Sequence, residues 1–316
     1  MRARLGWRTG PKDRSHPPAR RGYRRRARYP RSNSARPRRT IDPLVADSRL
    51  GQQQANLVAV AGLVEVVQAA RNPLDRKLFS GEHSRHAPTS QKGHSLKSEF
   101  WHERWEEGQL GFHQTQVNAQ LAEYWERLEL PPDVEVFVPL CGKSLDMVWL
   151  RERGHPVIGV EISPIGIRDF FRALHATPRV ESVGVLERSK GEGYTLYGGD
   201  LFDLSAEDLI GVRGCYDRGS LVALPEATRK RYAEHLIRIL PEQISILLIS
   251  LEYDESKMSA PPHSVSPDEI ESLFGADFEI ETLTSTGWGP AEARFRERGL
   301  DVWCETVLHL ARGRCA

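Results

Sequence analysis

A short loop and one acidic residue carry the clearest chemical signal in the chain. The loop at residues 140–143 follows an apolar run, and Glu161 ends a second apolar run 161 − 142 = 19 residues after Gly142. In a strand–helix–strand unit, an acid about 20 residues after the first turn is placed to accept hydrogen bonds from both hydroxyls of a ribose. The spacing therefore favours a nucleoside-binding site.

The composition of that loop narrows the kind of nucleoside. It holds one glycine, Gly142, whereas the G-x-G-x-x-G motif that brings backbone amides up to a pyrophosphate has three. A nucleoside without phosphates fits better, and S-adenosylmethionine is the common one. The alternative is an ordinary strand–helix–strand unit in which Glu161 is a surface acid at the end of a strand.

The elements that must position these residues are a strand, a helix and a second strand. Residues 134–138 are apolar and mostly β-branched, Ser144 can cap the helix that follows, and Gly154 can end it. Residues 156–160 predict a second buried strand that leads into Glu161. The two strands of such a unit are parallel, and ligands bind beyond their carboxyl ends. We therefore expect the loop and Glu161 to face one crevice.

Strands and helices alternate through the rest of the folded part, and we predict an α/β fold. The predicted strands are residues 194–197, a strand that ends at 215–217, and residues 244–251, 278–283 and 302–310, with no helix between the last two. This order gives a Rossmann-like doubly wound sheet, mostly parallel with one antiparallel edge strand. At a strand end, Asp200 is placed to accept a hydrogen bond from the amine of an adenine that Leu201 covers. The alternative is an aspartate that only forms a turn.

A short helix ahead of the first strand carries two indoles. Trp101 and Trp105 lie one helical turn apart, and Ser98 can cap the helix. Two indoles on one helix face must be buried against something. Two interpretations are open: the indoles pack on the edge of the sheet, or they close as a lid over the crevice.

The start of the chain differs in composition from the rest. Residues 1–40 contain fourteen Arg and one Lys against one acid, Asp13, a net charge of 15 − 1 = +14. Their content of Arg, Pro and Ser predicts disorder. We divide the chain into a largely disordered extension, residues 1–97, with a short helix at 50–71, and a folded domain, residues 98–316. Residues 1–40, called the basic arm below, have three possible interpretations. They are a dispensable tail or extended gene model, an organelle transit segment, or a nucleic-acid-binding arm.

Cysteine content and hydropathy exclude several classes of protein. The four cysteines show no paired spacing, so we predict neither a disulfide framework nor a metal site. The longest apolar run, residues 57–67, is about half of what a bilayer requires. We therefore expect a monomeric cytoplasmic protein that has no membrane span and acts on a small molecule. Nucleic acid would have to bind through the arm.

Several longer motifs resemble one known family. FWHERW, FVPLCGKSLDMVWL, GHPVIGVEISPIGIRDFF, YDRGSLVALP and SPDEIESLFG follow one another in the folded part, and together they resemble the thiopurine S-methyltransferases. The resemblance implies transfer of a methyl group from S-adenosylmethionine to the sulfur of a thiol, or to a selenium or tellurium species. The related plant halide and thiol methyltransferases, which would show PGCG and FDYTF in place of PLCG and CYDRG, rank second.

The resemblance also implies roles for single residues. It makes Arg218 and Arg298 the catalytic residues, with Arg296 nearly as good a match as Arg298. Phe112 matches an aromatic residue of the substrate pocket. The residues implied in cofactor binding are Trp105, Leu140, Glu161, Asp200, Leu201 and Arg218.

Two functions of other classes compete with this interpretation. One is a nucleic-acid-binding protein that acts through the basic arm, with the α/β domain as a scaffold. The other is a nucleotide-dependent oxidoreductase on a similar sheet. The single-glycine loop disfavours the oxidoreductase.

Overall fold

The computed structural model describes residues 95–111 and 113–313. The predicted helix at residues 50–71 and the basic arm lie outside the described residues, and so does Phe112. Two helices precede the sheet: α1 (Ser95–Glu106) and α2 (Ala119–Tyr124), the second followed by a 3-10 turn at Trp125–Leu128. The side-chain oxygen of Asn118 caps α2 by accepting hydrogen bonds from the first backbone N–H groups of the helix.

The predicted strand–helix–strand unit is present. It consists of β1 (Glu135–Val138), α3 (Leu145–Glu152) and β2 (Val157–Glu161). The Ser144 hydroxyl caps α3 by accepting from the backbone N–H of Asp146 at 3.2 Å. The two strands pair in parallel. Both strands are buried along most of their length, which explains why they are continuous apolar runs in the sequence.

The remaining elements follow in chain order. They are α4 (Pro164–Ala173), β3 (Arg179–Val183), β4 (Leu186–Gly191), β5 (Tyr194–Gly198), β6 (Val212–Arg218), α5 (Glu226–Ile239), β7 (Ile244–Glu252), α6 (Pro267–Phe274), β8 (Glu279–Ser285), β9 (Gly289–Pro290), α7 (Ala293–Arg296) and β10 (Val302–Arg312). The strand order is β3-β4-β5-β2-β1-β6-β7-β10-β8, with β9 paired to β10. An α-helix follows each of β1, β2 and β6, the β3–β4 hairpin is inserted before β5, and 3-10 turns alone join β5 to β6.

The predicted fold class is confirmed, and the structure adds detail at both flanks of the sheet. The centre, β5-β2-β1-β6-β7, is parallel. The reversed strand β10 lies between β7 and β8, so it is not itself the edge. The β3–β4 hairpin, which the sequence analysis did not predict, pairs antiparallel with β5. Its first strand is largely exposed and polar, so it lacks the apolar run that marks the central strands.

The sheet is buried on both faces. Phe137 of β1 packs into one apolar cluster, whereas its neighbours Val136 and Val138 pack into the cluster on the other side. A third, smaller cluster at the carboxyl ends of the strands includes Phe295 and Trp303. The central strands are therefore held from both sides, and their carboxyl ends form a fixed edge on which side chains can be positioned.

A buried arginine joins two helices behind this edge. Arg229 of α5 contacts Glu269 of α6 through two hydrogen bonds of 2.5 and 3.0 Å, and it also donates to the backbone oxygen of Leu224 at 2.9 Å. Arg229 is buried, whereas the side chain of Glu269 keeps partial access to water. Loss of the arginine would therefore leave a carboxylate with only part of its solvation.

We predict that Arg229→Met lowers the free energy of unfolding by about 2 to 3 kcal/mol, somewhat less than for a fully buried pair because water still reaches Glu269. Urea denaturation measures the effect. The matched control is Lys230→Met on the exposed face of the same helix, where a change within about 0.5 kcal/mol is expected. Equal stability of the two variants would contradict the structural role of the pair.

Candidate active site

Glu161 lies at the carboxyl end of β2 and is 6% exposed. One carboxylate oxygen accepts from the backbone N–H of Gly142 and the other from that of Ser163, each at 2.9 Å. The acid thus meets the loop at residues 140–143, as the spacing predicts. Two backbone donors therefore fix the orientation of the carboxylate.

Burial raises the pKa of Glu161 to about 7, against hydrogen bonds from Ser163, Gly142 and the Trp105 side chain that lower it. A carboxyl with that pKa is partly protonated at neutral pH. Additional donors on a ligand would favour its ionised form. The electrostatics of the residue are therefore suited to a ligand that offers hydroxyl groups.

The loop before α3 is a tight turn with positive φ at two residues, and glycine adopts this conformation without strain at one of them. Gly142 has φ +55° and Leu140 has φ +43°. Leu140 is a residue with a Cβ in the left-handed region, which stores local strain of the kind found at binding sites. Both residues line a cavity of about 290 Å³ beside Glu161.

Trp105 packs on the same carboxylate. It is almost fully buried and lines the cavity, and the Lys143 ammonium lies 5.9 Å from its ring centroid. Trp101 also lines this cavity and is half-buried. The two indoles thus stand at the wall of the crevice rather than at an edge of the sheet. Whether they move as a lid remains a prediction.

Gly166 is a residue of this site that the sequence analysis missed. A Cβ built at this position would lie 3.0 Å from Cγ of Glu161 and 3.0 Å from Cζ2 of Trp105. The absence of a side chain therefore lets the indole and the carboxylate approach α4. Glycine inside a helix is less stable than alanine. Its presence within the predicted helix was therefore the signal from which Gly166 could have been recognised.

Arg218 is the last residue of β6, at an end of the strand that buried hydrogen bonds hold in place. The preceding residue, Asp217, is buried and accepts from the Tyr232 hydroxyl at 2.7 Å and from the Leu221 N–H at 3.3 Å. Arg218 is half-buried and lines the cavity, and its guanidinium makes no hydrogen bond or ion pair with the residues that the structure describes. A cation on an anchored backbone is thus available to a ligand.

The arginines before β10 differ in position. Arg298 lines the cavity and donates to the backbone oxygens of Ser259 and Pro261, the latter at 3.0 Å. Arg296 donates to Ala291 and does not contribute to the cavity lining. Of the two residues that the sequence left open, Arg298 therefore faces the cavity.

Arg294 is a further cation that the sequence analysis missed. It donates to Glu292 at 2.7 Å and to the backbone oxygen of Gly111 at 3.3 Å. It lines both the cavity beside Glu161 and an adjoining cavity of about 730 Å³. Arg294 begins the segment RFRERG at residues 294–299. The charged residues of this segment have no regular spacing, so the sequence did not predict which way the Arg294 side chain points.

Asp200 and Leu201 lie next to the site but outside the cavity lining. One carboxylate oxygen of Asp200 accepts from the Phe202 N–H at 3.0 Å and caps a short 3-10 turn. Leu201 is 3% exposed and belongs to the apolar core. Only Gly199 separates them from the end of β5, whose Gly198 pairs with Glu161. Their contact with an adenine stays a prediction, and the turn-forming role of Asp200 is observed.

A buried aspartate in the cavity wall is tied to the sheet. Asp146 of α3 accepts from the Asn118 N–H at 2.8 Å and from the Tyr216 hydroxyl at 3.0 Å. These contacts join three pieces of chain: the segment before α2, the start of α3 and the strand that ends in Arg218. These hydrogen bonds hold the three pieces of chain together beside the cavity.

Two further residues, His113 and Lys143, lie on the wall that the two cavities share. Burial, followed by the charges of Lys143 and Arg218, lowers the pKa of His113 to about 4. Lys143 is buried and its ammonium lies 3.6 Å from the Asp169 carboxylate; burial lowers its pKa, and Asp169 opposes that shift. The sequence analysis gave neither residue a role.

The described residues offer neither a thiolate nucleophile nor a metal centre. Cys141 in the loop is buried, and burial together with the charge of Glu161 raises the pKa of its thiol. No group of three His, Cys, Asp or Glu side chains between residues 95 and 313, Phe112 apart, is placed to hold a metal ion. Over the same residues, no helix is both long and apolar enough to cross a membrane.

Comparison with known proteins gives a consistent result. The family model described as Thiopurine S-methyltransferase (TPMT) matches residues 96–313. A thiopurine S-methyltransferase of Methylococcus capsulatus is 47% identical over 218 residues, which are 68% of this chain and 97% of that relative. One from Nitrosospira multiformis is 42% identical over 215 residues, or 68% of this chain and 98% of the relative.

Among solved structures, a SAM-dependent methyltransferase from Anabaena variabilis matches with a TM-score of 0.50 and 13% identity, over 73% of this chain and 99% of that chain. At that identity the likeness shows the fold alone. The matched family model, with a fold that agrees, makes this chain a methyltransferase of the S-adenosylmethionine-dependent class. Because the family model covers more than half of the chain and the relatives match over nearly their whole length, the chain belongs to the thiopurine S-methyltransferase family.

We predict that Gly166→Ala destabilises the protein by about 1 to 2 kcal/mol, because overpacking against Trp105 and Glu161 outweighs the gain in helix propensity. Chemical denaturation measures the change. In the background of Trp105→Ala the indole contact is absent, so the same substitution should cost clearly less. A cost that is the same in both backgrounds would contradict the packing of Gly166 on the indole.

Proposed function

We propose that residues 98–316 form a domain that methylates the sulfur of aromatic or heterocyclic thiols, thiopurines among them, with S-adenosylmethionine as the methyl donor. Selenium and tellurium species belong to the same chemical class of acceptor. One observation carries the proposal: the buried Glu161 carboxylate, oriented by the N–H groups of Gly142 and Ser163, lies in the wall of a cavity that also holds the unpaired cation of Arg218. Family membership supports it.

The residues present fit an adenosine without phosphates. Glu161 is placed for the ribose hydroxyls, and the loop with its single glycine offers no row of amides for a pyrophosphate. Leu140, Trp105 and Arg218 would complete the contacts, with Asp200 and Leu201 beside the adenine. When bound, the cofactor supplies a methyl group carried on a positively charged sulfur.

On the acceptor side the protein has to attract, orient and dehydrate the thiol. Aromatic thiols are largely ionised near neutral pH, so a strong general base is not required. Arg218 attracts the thiolate, and Arg298 lies across the same cavity. The indoles of Trp101 and Trp105 exclude water from the wall. Correct alignment of the reacting atoms accounts for up to about 7 to 11 kcal/mol of the barrier.

The direct test is incubation of the purified protein with methyl-labelled S-adenosylmethionine and a panel of thiols, selenols and halides. Label is expected on the sulfur of thiophenol and 6-mercaptopurine. Transfer to halide ion alone would favour the plant-type activity instead, and transfer to none of the acceptors would reject the proposal.

Cofactor affinity is predicted to rise with pH up to about 7 and then level off, because ribose hydroxyls donate to the ionised form of Glu161 and binding therefore releases its proton. Calorimetry measures the Kd of S-adenosylhomocysteine. This Kd should fall by up to about tenfold for each unit by which the pH is raised toward 7. Glu161→Gln should weaken binding by about 1 to 3 kcal/mol and remove the pH dependence.

The control for this profile is Glu252→Gln. Burial also raises the pKa of Glu252, but that residue lies outside the lining of both cavities. Its variant should bind the cofactor product like the wild type at every pH. A profile that stays equally steep in Glu161→Gln would assign the titration to another group.

Arg218→Lys is predicted to lower kcat/KM for thiophenol by about 10- to 100-fold, since lysine keeps the charge and loses the planar fork. Arg296→Lys is the matched control, because Arg296 is exposed and lies outside the cavity lining. Steady-state kinetics with labelled cofactor give both values. Undiminished turnover by the Arg218 variant would count against its place at the reacting atoms.

A further inference from the structure

His113 is held by its backbone but not by its ring. Its N–H donates to the backbone oxygen of Leu110 at 2.8 Å. Nε2 of its imidazole is buried and has no hydrogen-bond partner among the described residues. A buried polar atom without a partner costs about 1 to 3 kcal/mol. Such an atom in the wall of two cavities is a position where a ligand can supply the missing partner.

The surroundings of His113 decide which partner that is. Burial and the nearby charges of Lys143 and Arg218 keep the imidazole uncharged near neutral pH. A neutral imidazole has one ring nitrogen that can accept a hydrogen bond. The guanidinium and ammonium groups around the cavity only donate. His113 therefore adds a neutral acceptor beside these cations. Gln114 and Glu305 line the same two cavities, and the buried nitrogen that lacks a partner is Nε2 of His113, which suits a ligand carrying an N–H group.

Heterocyclic thiols supply such a group. When a ring nitrogen adjoins the carbon that bears sulfur, the compound exists largely as a thione with the proton on nitrogen. Once the sulfur carries a methyl group, the ring is a cation until that proton leaves. The N–H of this cation is far more acidic than that of the neutral thione. A weakly basic imidazole is therefore sufficient to accept the proton and pass it to water.

We propose, on the basis of the thiol methyltransferase activity above, that His113 accepts a hydrogen bond from the ring N–H of a heterocyclic thione and takes up that proton as the sulfur is methylated. The proton moves from ring nitrogen to imidazole and then to solvent, which leaves a neutral methylthio heterocycle. His113 thereby selects acceptors with nitrogen next to the reacting carbon over plain arenethiols.

The test compares 2-mercaptopyridine, which has the adjacent ring nitrogen, with thiophenol, which lacks it. We expect His113→Phe to lower kcat/KM for 2-mercaptopyridine by about 10-fold or more and that for thiophenol by less than about 2-fold. His113→Asn retains an acceptor but not a base, so its KM for 2-mercaptopyridine should stay near the wild-type value while kcat falls. Calorimetric binding of 2-mercaptopyridine to the protein saturated with S-adenosylhomocysteine gives a readout without turnover.

The outcomes separate the two proposals. If the wild type methylates neither compound, the proposed function fails. If both compounds are methylated and the His113 variants change them in equal proportion, the role of His113 is overturned while the activity stands. Should His113→Phe not fold, the kcat of His113→Asn with the two acceptors decides: a fall with 2-mercaptopyridine alone supports the proposal, and an equal fall with both rejects it.

Discussion

The structure depends on one buried carboxylate at the tip of a parallel strand. Glu161 would be costly to bury alone, and the backbone N–H groups of Gly142 and Ser163 make its position tolerable. These contacts fix the loop after β1 to the end of β2. Burial opposes these contacts and leaves the acid partly protonated near neutral pH, so its final charge depends on what else donates to it. Stability and binding are therefore coupled through one side chain.

Buried polar contacts hold the other segments that line the cavity in place. Asp146 joins the segment before α2 to β6, and Asp217 anchors the backbone next to Arg218. Neither aspartate needs to touch a ligand for its effect. Arg218 can then remain unpaired, because its position is set by the chain rather than by an ion pair. A cation held in this way keeps its charge for an anionic acceptor.

The acceptor side combines cationic donors with the neutral imidazole of His113. Lys143 is partly neutralised by Asp169, whereas Arg218 has no such partner among the residues described. Burial, followed by the positive charges that attract a thiolate, lowers the pKa of His113 and keeps its imidazole from being protonated. Charge attraction and hydrogen-bond acceptance thus coexist within one cavity because burial separates the protonation states of neighbouring groups.

The sequence by itself determined the strand–helix–strand unit, the α/β class and the meeting of Glu161 with its loop. These follow from local rules: buried parallel strands read as apolar runs, Ser144 caps a helix, and parallel strands bring their carboxyl ends to one side. It did not mark the β3–β4 hairpin, whose strands are too exposed and polar to stand out, although Gly184 with φ +60° makes the turn.

Only the tertiary structure decided which side chains border the cavity. Gly166 belongs to the site because Trp105 and Glu161 approach it from distant parts of the chain. Arg298 and Arg294 face the cavity while Arg296 does not, and Leu201 turns into the core. The physical reason is that a side chain's direction in a loop or short turn is set by packing between elements. That packing has no period along the sequence from which it could be read.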